Sequence, residues 1–509
     1  MNIQHDSSPA TVHLRQGIYH GTSHSTHRTF MNVPYAQPPV GNLRWKKPQK
    51  LHSNPEQTND ATKVGPCCPQ PATHMDFLPG LHSSAEHNES NCLNLNIWTP
   101  PLEEKPDKGW PVMVWIHGGG FVEGMNSYPL YDGTNLTKKH PVIVVSINYR
   151  VNIFGFLGSQ ELIQDSEDGS SGNYGLLDQR LAFEWVKENI SHFGGDKTRI
   201  CAFGESAGSV SIAYQLVISR GLFHRAILES GGADTLSAVS IEKQQIVFDE
   251  ICRHLDITEG DRLAKLREIS AETLVDALDK VSVGAEFIWM GTIDGVTIKQ
   301  NPGLLYQDPK NIDPSVKEMI IGETTDEGTL FTDLIPLKET FKATLESKFS
   351  PHQTEVIKRL YPCEEPGELL ATIGKICGDQ LVAGPVRETT RALAHGSNPA
   401  RKVYSYRFNA PMEKTAGFNL GVHHIQEVYF VFNQTDYLNE KEQKVSEKIS
   451  QFWVNFATNG VPDDEWEPFL TNRETKLVFE PNGIIRNQID DDEVRDKRLL
   501  FWKSFREQH

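Results

Sequence analysis

One stretch constrains this chain more than any other: Arg199-Ile-Cys-Ala-Phe-Gly204-Glu205-Ser206-Ala207-Gly208. Arg199 to Phe203 reads as a short buried strand, and the residues from about Ser206 to Ser219 read as a helix. Between them stands Gly-x-Ser-x-Gly. A turn this sharp holds its serine in a strained backbone conformation, and large side chains two positions away on either side would collide. Gly204 and Gly208 remove those collisions. Ser206 would then stand at a helix start, where free N–H groups favour nearby negative charge. The pentapeptide alone is a common string. The strand before it and the helix after it make Ser206 a candidate nucleophile.

The flanking segments extend the pattern. Val112 to Ile116 and Val142 to Asn148 are short and rich in β-branched residues, as buried strands should be. Ala226 to Glu229, Glu318 to Gly322 and Lys402 to Phe408 are further strand candidates. In Leu176 to Ile190, Leu177, Leu181, Trp185 and Ile190 can share one helical face. Strands alternating with helices predict an α/β fold: a large, mostly parallel central sheet with helices on both faces. Charged helical stretches around 240–281 and 339–395 fall between strands and are expected to form a helical cap over the strand ends. Glu440 to Thr458 and Asp492 to Arg506 read as closing helices. The first part of the chain is rich in turns, and Pro66 to Asn91 is a long loop without period, of the kind that usually serves a function. No linker stands out, so residues 1–509 are expected to form a single domain.

Composition narrows the partners. Hydrophobic residues make up 38% and charged residues 23% of the 509, enough for a large core. A formal net charge of −17 argues against nucleic acid and anionic membranes. The polar start, Met1 to Arg15, has no apolar signal region, and no apolar run of about 18 residues exists to span a membrane. The expected location is therefore cytoplasmic, and the sequons at Asn88 and Asn135 carry no weight. Seven cysteines, an odd number without paired C-x-x-C spacing, suggest neither a disulfide framework nor a zinc site. No metal or other cofactor is expected.

His117-Gly118-Gly119-Gly120-Phe121 follows the strand that ends at Ile116. Three glycines in a row suit a loop whose backbone must approach a ligand closely. Acyl transfer passes through a tetrahedral oxyanion, and losing one fixed N–H donor to it typically costs roughly 2.7–4 kcal/mol. The candidate donors are the N–H groups of Gly119, Gly120 and Ala207. A serine nucleophile also needs a base. With 19 histidines, chemistry alone does not choose one. In this fold class the order is serine, acid, histidine. Gly421-Val-His423-His424-Ile-Gln-Glu427 follows a late strand and can supply the base. Gly322-Glu-Thr-Thr-Asp326-Glu327-Gly328 can supply the acid. At this level Asp326 and Glu327, and His423 and His424, stay open.

These residues resemble the type-B carboxylesterase family, the α/β-hydrolases that include the cholinesterases. The resemblance runs through Asn32-Val-Pro-Tyr35-Ala with Pro39 and Arg44-Trp45, Asn91-Cys92-Leu-Asn-Leu-Asn96 and His117–Phe121. It continues through Asn173-Tyr-Gly-Leu-Leu-Asp178-Gln, Phe193-Gly-Gly-Asp196, Gly204–Gly208, Glu229-Ser230-Gly, Asp326-Glu327-Gly328 and the His424 segment. It implies Glu327 as the acid and His424, three residues before Glu427, as the base. It places Glu205, Ser230 and Glu427 in a buried layer behind the triad. It also implies a disulfide between Cys68 and Cys92, with Cys67 as a competitor; in the cytosol the pair would stay reduced. Ile425 stands where the family usually has Gly, and Ser90-Asn91 where it has Glu-Asp. The latter leaves Glu89 as the available partner for Arg44. No Trp lies between Cys68 and Cys92, so the usual cation–π platform of the choline-binding members is missing. The resemblance is therefore to a non-cholinesterase member.

The expected activity is serine carboxylic ester hydrolysis of a small-molecule ester through an acyl-enzyme on Ser206. His424 serves as general base and acid, and Glu327 orients it. The rival readings are an acyltransferase or a lactone-forming or lactone-opening enzyme, and a non-catalytic binding protein on the same fold. Phe287, Trp289 and Phe331 are the candidate substrate-pocket residues.

Overall fold

Trp110–Ile116 and Ile143–Ile147 are buried at every position. Strands without a wet face belong inside a sheet that is covered on both sides. The computed structural model describes residues 9–235, 237–278, 280–281, 288–335, 337–395, 401–481, 483–490 and 492–508, and these two strands lie at its centre.

In chain order the strands are β1 (Pro9–Leu14), β2 (Gly17–Ser23), β3 (Arg28–Pro34), β4 (Thr58–Asp60), β5 (Asn94–Thr99), β6 (Trp110–Ile116), β7 (Ile143–Ile147) and β8 (Gly195–Glu205). They continue with β9 (Arg225–Glu229), β10 (Val239–Ser240), β11 (Thr292–Ile293), β12 (Glu318–Thr324), β13 (Lys402–Phe408), β14 (Thr475–Phe479) and β15 (Ile485–Ile489). The main sheet runs β1-β2-β3-β5-β7-β6-β8-β9-β12-β13-β14-β15, with β4 beside β2. From β7 to β14 every pairing is parallel. The arm from β1 through β5 to β7 pairs antiparallel, and so does the last strand, β15.

The period of two along the central strands makes two cores. Val112, Val114 and Ile116 of β6 pack with Ala202, Leu228 and Ile321 and with helices Tyr174–Asn189, Ala207–Ile218 and Ile241–His254. Met113 and Trp115 turn the other way, to Phe203, Ile227 and Ile320 and to helices Gln426–Val431 and Glu440–Asn459. Helices thus cover both faces. The two charged stretches contain helices Ile241–His254, Arg262–Glu268 and Ala271–Leu278, and Phe341–Glu346, Pro351–Leu360, Leu369–Gly378 and Gly384–His395. Among the described residues no helix is long and apolar enough to cross a membrane.

The long loop before β5 is tied at its base. Cys68 and Cys92 are joined by a disulfide with a Cα–Cα distance of 4.8 Å, while Cys67 stays a buried free thiol. Arg44 holds the same region. Its guanidinium meets Glu89 at 2.7 Å and 2.5 Å and donates to the Ile269 carbonyl at 2.6 Å. Both side chains are buried, so Glu89 fills the partner position left open by Ser90-Asn91.

Candidate active site

Parallel strands bring their C-terminal ends to one side, and residues that follow those ends meet there. His117 follows β6, Ser206 follows β8, Ser230 follows β9, Glu327 follows β12 and His424 comes after β13.

Ser206 is the cap of helix Ala207–Ile218 at φ 57° and ψ −123°. An L residue rarely adopts that conformation, and the surroundings must enforce it. The Ser206 N–H donates to the Glu229 carbonyl at 2.9 Å. A β-carbon at Gly208 would overlap the carbonyl oxygen of Ile116, and one at Gly204 would lie 2.7 Å from the same atom. The two glycines therefore let β6 and the serine turn approach each other.

Of the two histidines and two carboxylates left open by the sequence, one pair is in contact. His424 Nδ1 lies 2.5 Å from Glu327 Oε2, and Glu327 Oε1 accepts the Thr324 N–H at 2.7 Å. Asp326 does something else: its Oδ2 accepts the Val422 N–H at 2.8 Å, and its own N–H donates to the Val422 carbonyl at 2.9 Å. It fastens the acid loop to the histidine loop. His423 turns its Nδ1 to the His424 carbonyl at 2.6 Å, and burial pushes its ring down to about 4.

His424 Nε2 lies 2.9 Å from Glu205 Oε1. The angles there do not make a hydrogen bond, and among the described residues neither atom has another partner, Ser206 included. Catalytic hydrogen bonds are often loose in a free enzyme and tighten around substrate. Burial alone would lower the imidazole, but the Glu205 and Glu327 carboxylates outweigh it and hold His424 well above its usual range. Behind this pair sit two more buried acids. Glu427 Oε1 accepts from the Ser230 hydroxyl at 2.9 Å and the Tyr406 hydroxyl at 3.1 Å, and Glu229 Oε1 accepts from Trp453 Nε1 at 2.8 Å. Burial raises Glu205 and Glu229, and raises Glu427 to about 8 with Glu327 and Glu205 adding to the effect.

Ser206, His424, Glu205, Gly119 and Gly120 line one cavity of about 400 Å³. Gly119 and Gly120 stand at φ 98° and 61°, and a β-carbon on Gly119 would overlap the Glu123 carbonyl. The N–H groups of Gly119, Gly120 and Ala207 have no hydrogen-bond partner among the described residues. Apolar walls come from Met75, Leu81, Leu330, Leu381, Val382 and Ile425. Phe331 joins them, its ring 4.8 Å from that of His424 and set edge-on. Trp289 is elsewhere: it is buried in the main core and is not part of this wall. Phe287 lies outside the described residues. The sequence reading missed Glu123, His74, Tyr128, Tyr131 and Asp333, which also line the cavity. Among the described residues no group of three or more His, Cys, Asp or Glu side chains could hold a metal ion.

The sequence profile of the Carboxylesterase family matches residues 8–495. The chain belongs to the carboxylesterase family. It is 32% identical to the para-nitrobenzyl esterase of Bacillus subtilis (strain 168), over 96% of this chain and 98% of that protein. It is 31% identical to the fumonisin B1 esterase of Sphingopyxis macrogoltabida, over 90% of this chain and 84% of that protein. The solved structure of a PNB esterase superposes with a TM-score of 0.80 at 31% identity, covering 97% of this chain and 100% of that one. With the family come the fold, an α/β-hydrolase, and the class of reaction, serine hydrolysis of carboxylic esters.

Proposed function

We propose that the chain hydrolyses small-molecule carboxylic esters through an acyl-enzyme on Ser206, with His424 as base and acid and Glu327 as its orienting partner. The observation that carries this reading is the contact between Glu327 and His424 beside a cavity that also holds the strained Ser206. In the first half, Ser206 Oγ attacks the ester carbonyl while its proton passes to His424 Nε2. The proton then goes to the leaving alcohol. In the second half, water gives a proton to the same nitrogen and attacks the acyl carbon, and Ser206 leaves with that proton. Glu327 keeps Nδ1 protonated, so the proton that His424 gains and gives up is the one on Nε2. Each half builds negative charge on the carbonyl oxygen, and the free N–H groups of Gly119, Gly120 and Ala207 are the donors available to it. The imidazolium formed alongside is stabilised by two buried carboxylates.

A fluorophosphonate probe tests the nucleophile. It should label the peptide that contains Ser206. Ser206→Ala should abolish the label and lower kcat on a p-nitrophenyl ester on the order of 10⁶-fold, with the far-ultraviolet circular dichroism unchanged. Wild-type turnover in that variant would sink the assignment.

A further inference from the structure

Glu123 is a cavity residue that this mechanism does not use. It sits directly behind the glycine loop: its N–H donates to the Gly119 carbonyl at 3.1 Å. The residue is only 7% exposed. Oε1 accepts the Thr73 hydroxyl at 2.9 Å, whereas Oε2 receives no hydrogen bond among the described residues. Thr73 and His74 of the long loop line the cavity with it, as does Tyr128. A folded chain rarely leaves a buried carboxylate oxygen without a donor, and Glu123 is among the residues that line the cavity beside Ser206.

Its place on the wall decides which half of the ester it meets. Glu205 touches His424 Nε2, the nitrogen that hands a proton to the leaving alcohol. Tyr131, Tyr128 and Glu123 line the same cavity as Glu205, the two tyrosine ring centroids 5.8 Å apart. The leaving alcohol takes its proton at Nε2, beside Glu205, which shares this cavity with Glu123. Glu123, Glu205 and Asp333 are acidic, and among the described residues no Lys or Arg lines the cavity.

We propose that Glu123 is a specificity-determining residue whose Oε2 accepts a hydrogen bond from an O–H or protonated N–H group carried by the leaving alcohol. The proposal rests on the ester-hydrolase reading above and deepens it. Thr73 fixes the carboxylate by one oxygen and leaves the other for the ligand. Alcohols without a donor leave Oε2 bare in the complex and are selected against.

Matched esters of one acid test it, hydroxypropyl against butyl and dimethylaminoethyl against isopentyl, with kcat/KM measured for each. The native enzyme should favour the donor-bearing member of at least one pair by about tenfold or more, and the pair that responds tells a neutral donor from a charged one. Glu123→Met keeps the chain length and removes both oxygens, so it should bring the ratio close to one. Glu123→Gln should keep a hydroxyl preference and lose an amine preference. Glu123→Leu repeats the test if the Met variant does not fold. A merely structural role lowers both members of a pair alike; an unchanged ratio in Glu123→Met would overturn the proposal, as would native ratios near one in both pairs. Failure of the native protein to turn over any of the four esters strikes the ester-hydrolase reading itself, and the proposal with it.

Discussion

Two groups of buried acids lie one strand apart and have opposite fates. Glu229 ends β9 and pairs in register with Gly322 of β12; Glu323 is the next residue of β12. Glu323 meets Lys476 at 2.8 Å, Arg495 at 2.5 Å and Arg407 at 3.4 Å, and Asp490 shares the same three cations. Burial would raise its carboxyl, but those cations outweigh burial and hold it near about 2. Glu205, Glu229 and Glu427 are equally buried; among the described residues His424 is the basic group that acts on Glu205 and Glu427, no cation offsets burial at Glu229, and burial raises all three. Depth alone therefore does not set the charge of a buried carboxyl. The nearest cations do. The first group holds strand ends together, and the second includes Glu205, which lies beside an imidazole that also meets Glu327.

The largest separation of the two groups is expected in turnover. Glu327→Gln keeps the shape of the acid but no longer stabilises a charged His424, and kcat should fall by about 10³–10⁴-fold with the fold retained. Asp326→Asn, in the residue that ties the two loops, should not reproduce that loss. Glu323→Gln leaves three cations facing one remaining acid, so its damage should be to stability, roughly 3–5 kcal/mol for a broken buried pair. Steady-state kinetics beside denaturant unfolding checks both. A Glu323→Gln protein with native stability and a Glu327-sized loss of kcat would erase the distinction.

The pH dependence sharpens it, because the two groups carry opposite signs. Glu427 holds its proton in the folded state up to about 8, against an ordinary 4.5. Between those values unfolding releases a proton, so this group lowers stability as pH rises through the window. Glu323 is ionised in the folded state down to about 2, again against 4.5. Its contribution is fully present above the ordinary value and is lost as pH falls toward the folded one. Each slope is at most about 1.4 kcal/mol per pH unit. In unfolding measured across pH, Glu427→Gln should flatten the neutral limb and Glu323→Gln the acid limb. The neutral limb belongs to coupled carboxyls, so its midpoint is a property of the cluster. A Glu427→Gln curve parallel to the native one from about pH 5 to pH 8 would refute the assignment.

The same contrast explains what could be read in advance. The strands β6 and β7 were visible as β-branched runs because both faces are buried, and only their ends moved, β6 to start at Trp110 and β7 to run from Ile143 to Ile147. The turn at Ser206 was visible because its causes, Gly204 and Gly208, are local. The choice between Asp326 and Glu327 was not local: it depends on the bridge between Asp326 and His423, far apart in the chain. The sequence pattern left both open, and the family resemblance alone pointed to Glu327. β14 and β15 escaped notice because each has five residues and pairs with a distant strand or a short neighbour. Trp289 was a candidate for the pocket and lies in the core, since an aromatic pattern does not tell a cavity from a packed interior. Glu123 gave no signal, because an acid in a loop looks solvated until the fold buries it.

Ile425 offers the smallest and finest test, at the edge of the raised group. The family usually places Gly there, yet this chain keeps the left-handed conformation, at φ 72°, with a β-branched residue. That conformation costs an L residue roughly 1–2 kcal/mol. The side chain is 3% exposed and packs in the second core, and burying it contributes about 1.5–3 kcal/mol. Burial outweighs strain, which is why isoleucine is tolerated beside His424. Ile425→Gly loses the burial and the strain together, whereas Ile425→Ala loses most of the burial and keeps the strain. The alanine variant should therefore be the less stable by about 1 kcal/mol, reversing the order found at ordinary backbone angles, where glycine is worse by roughly 0.5–1 kcal/mol. Denaturant midpoints of the two variants decide it, and an alanine variant more stable than the glycine one would show that the turn relaxes when the side chain is removed.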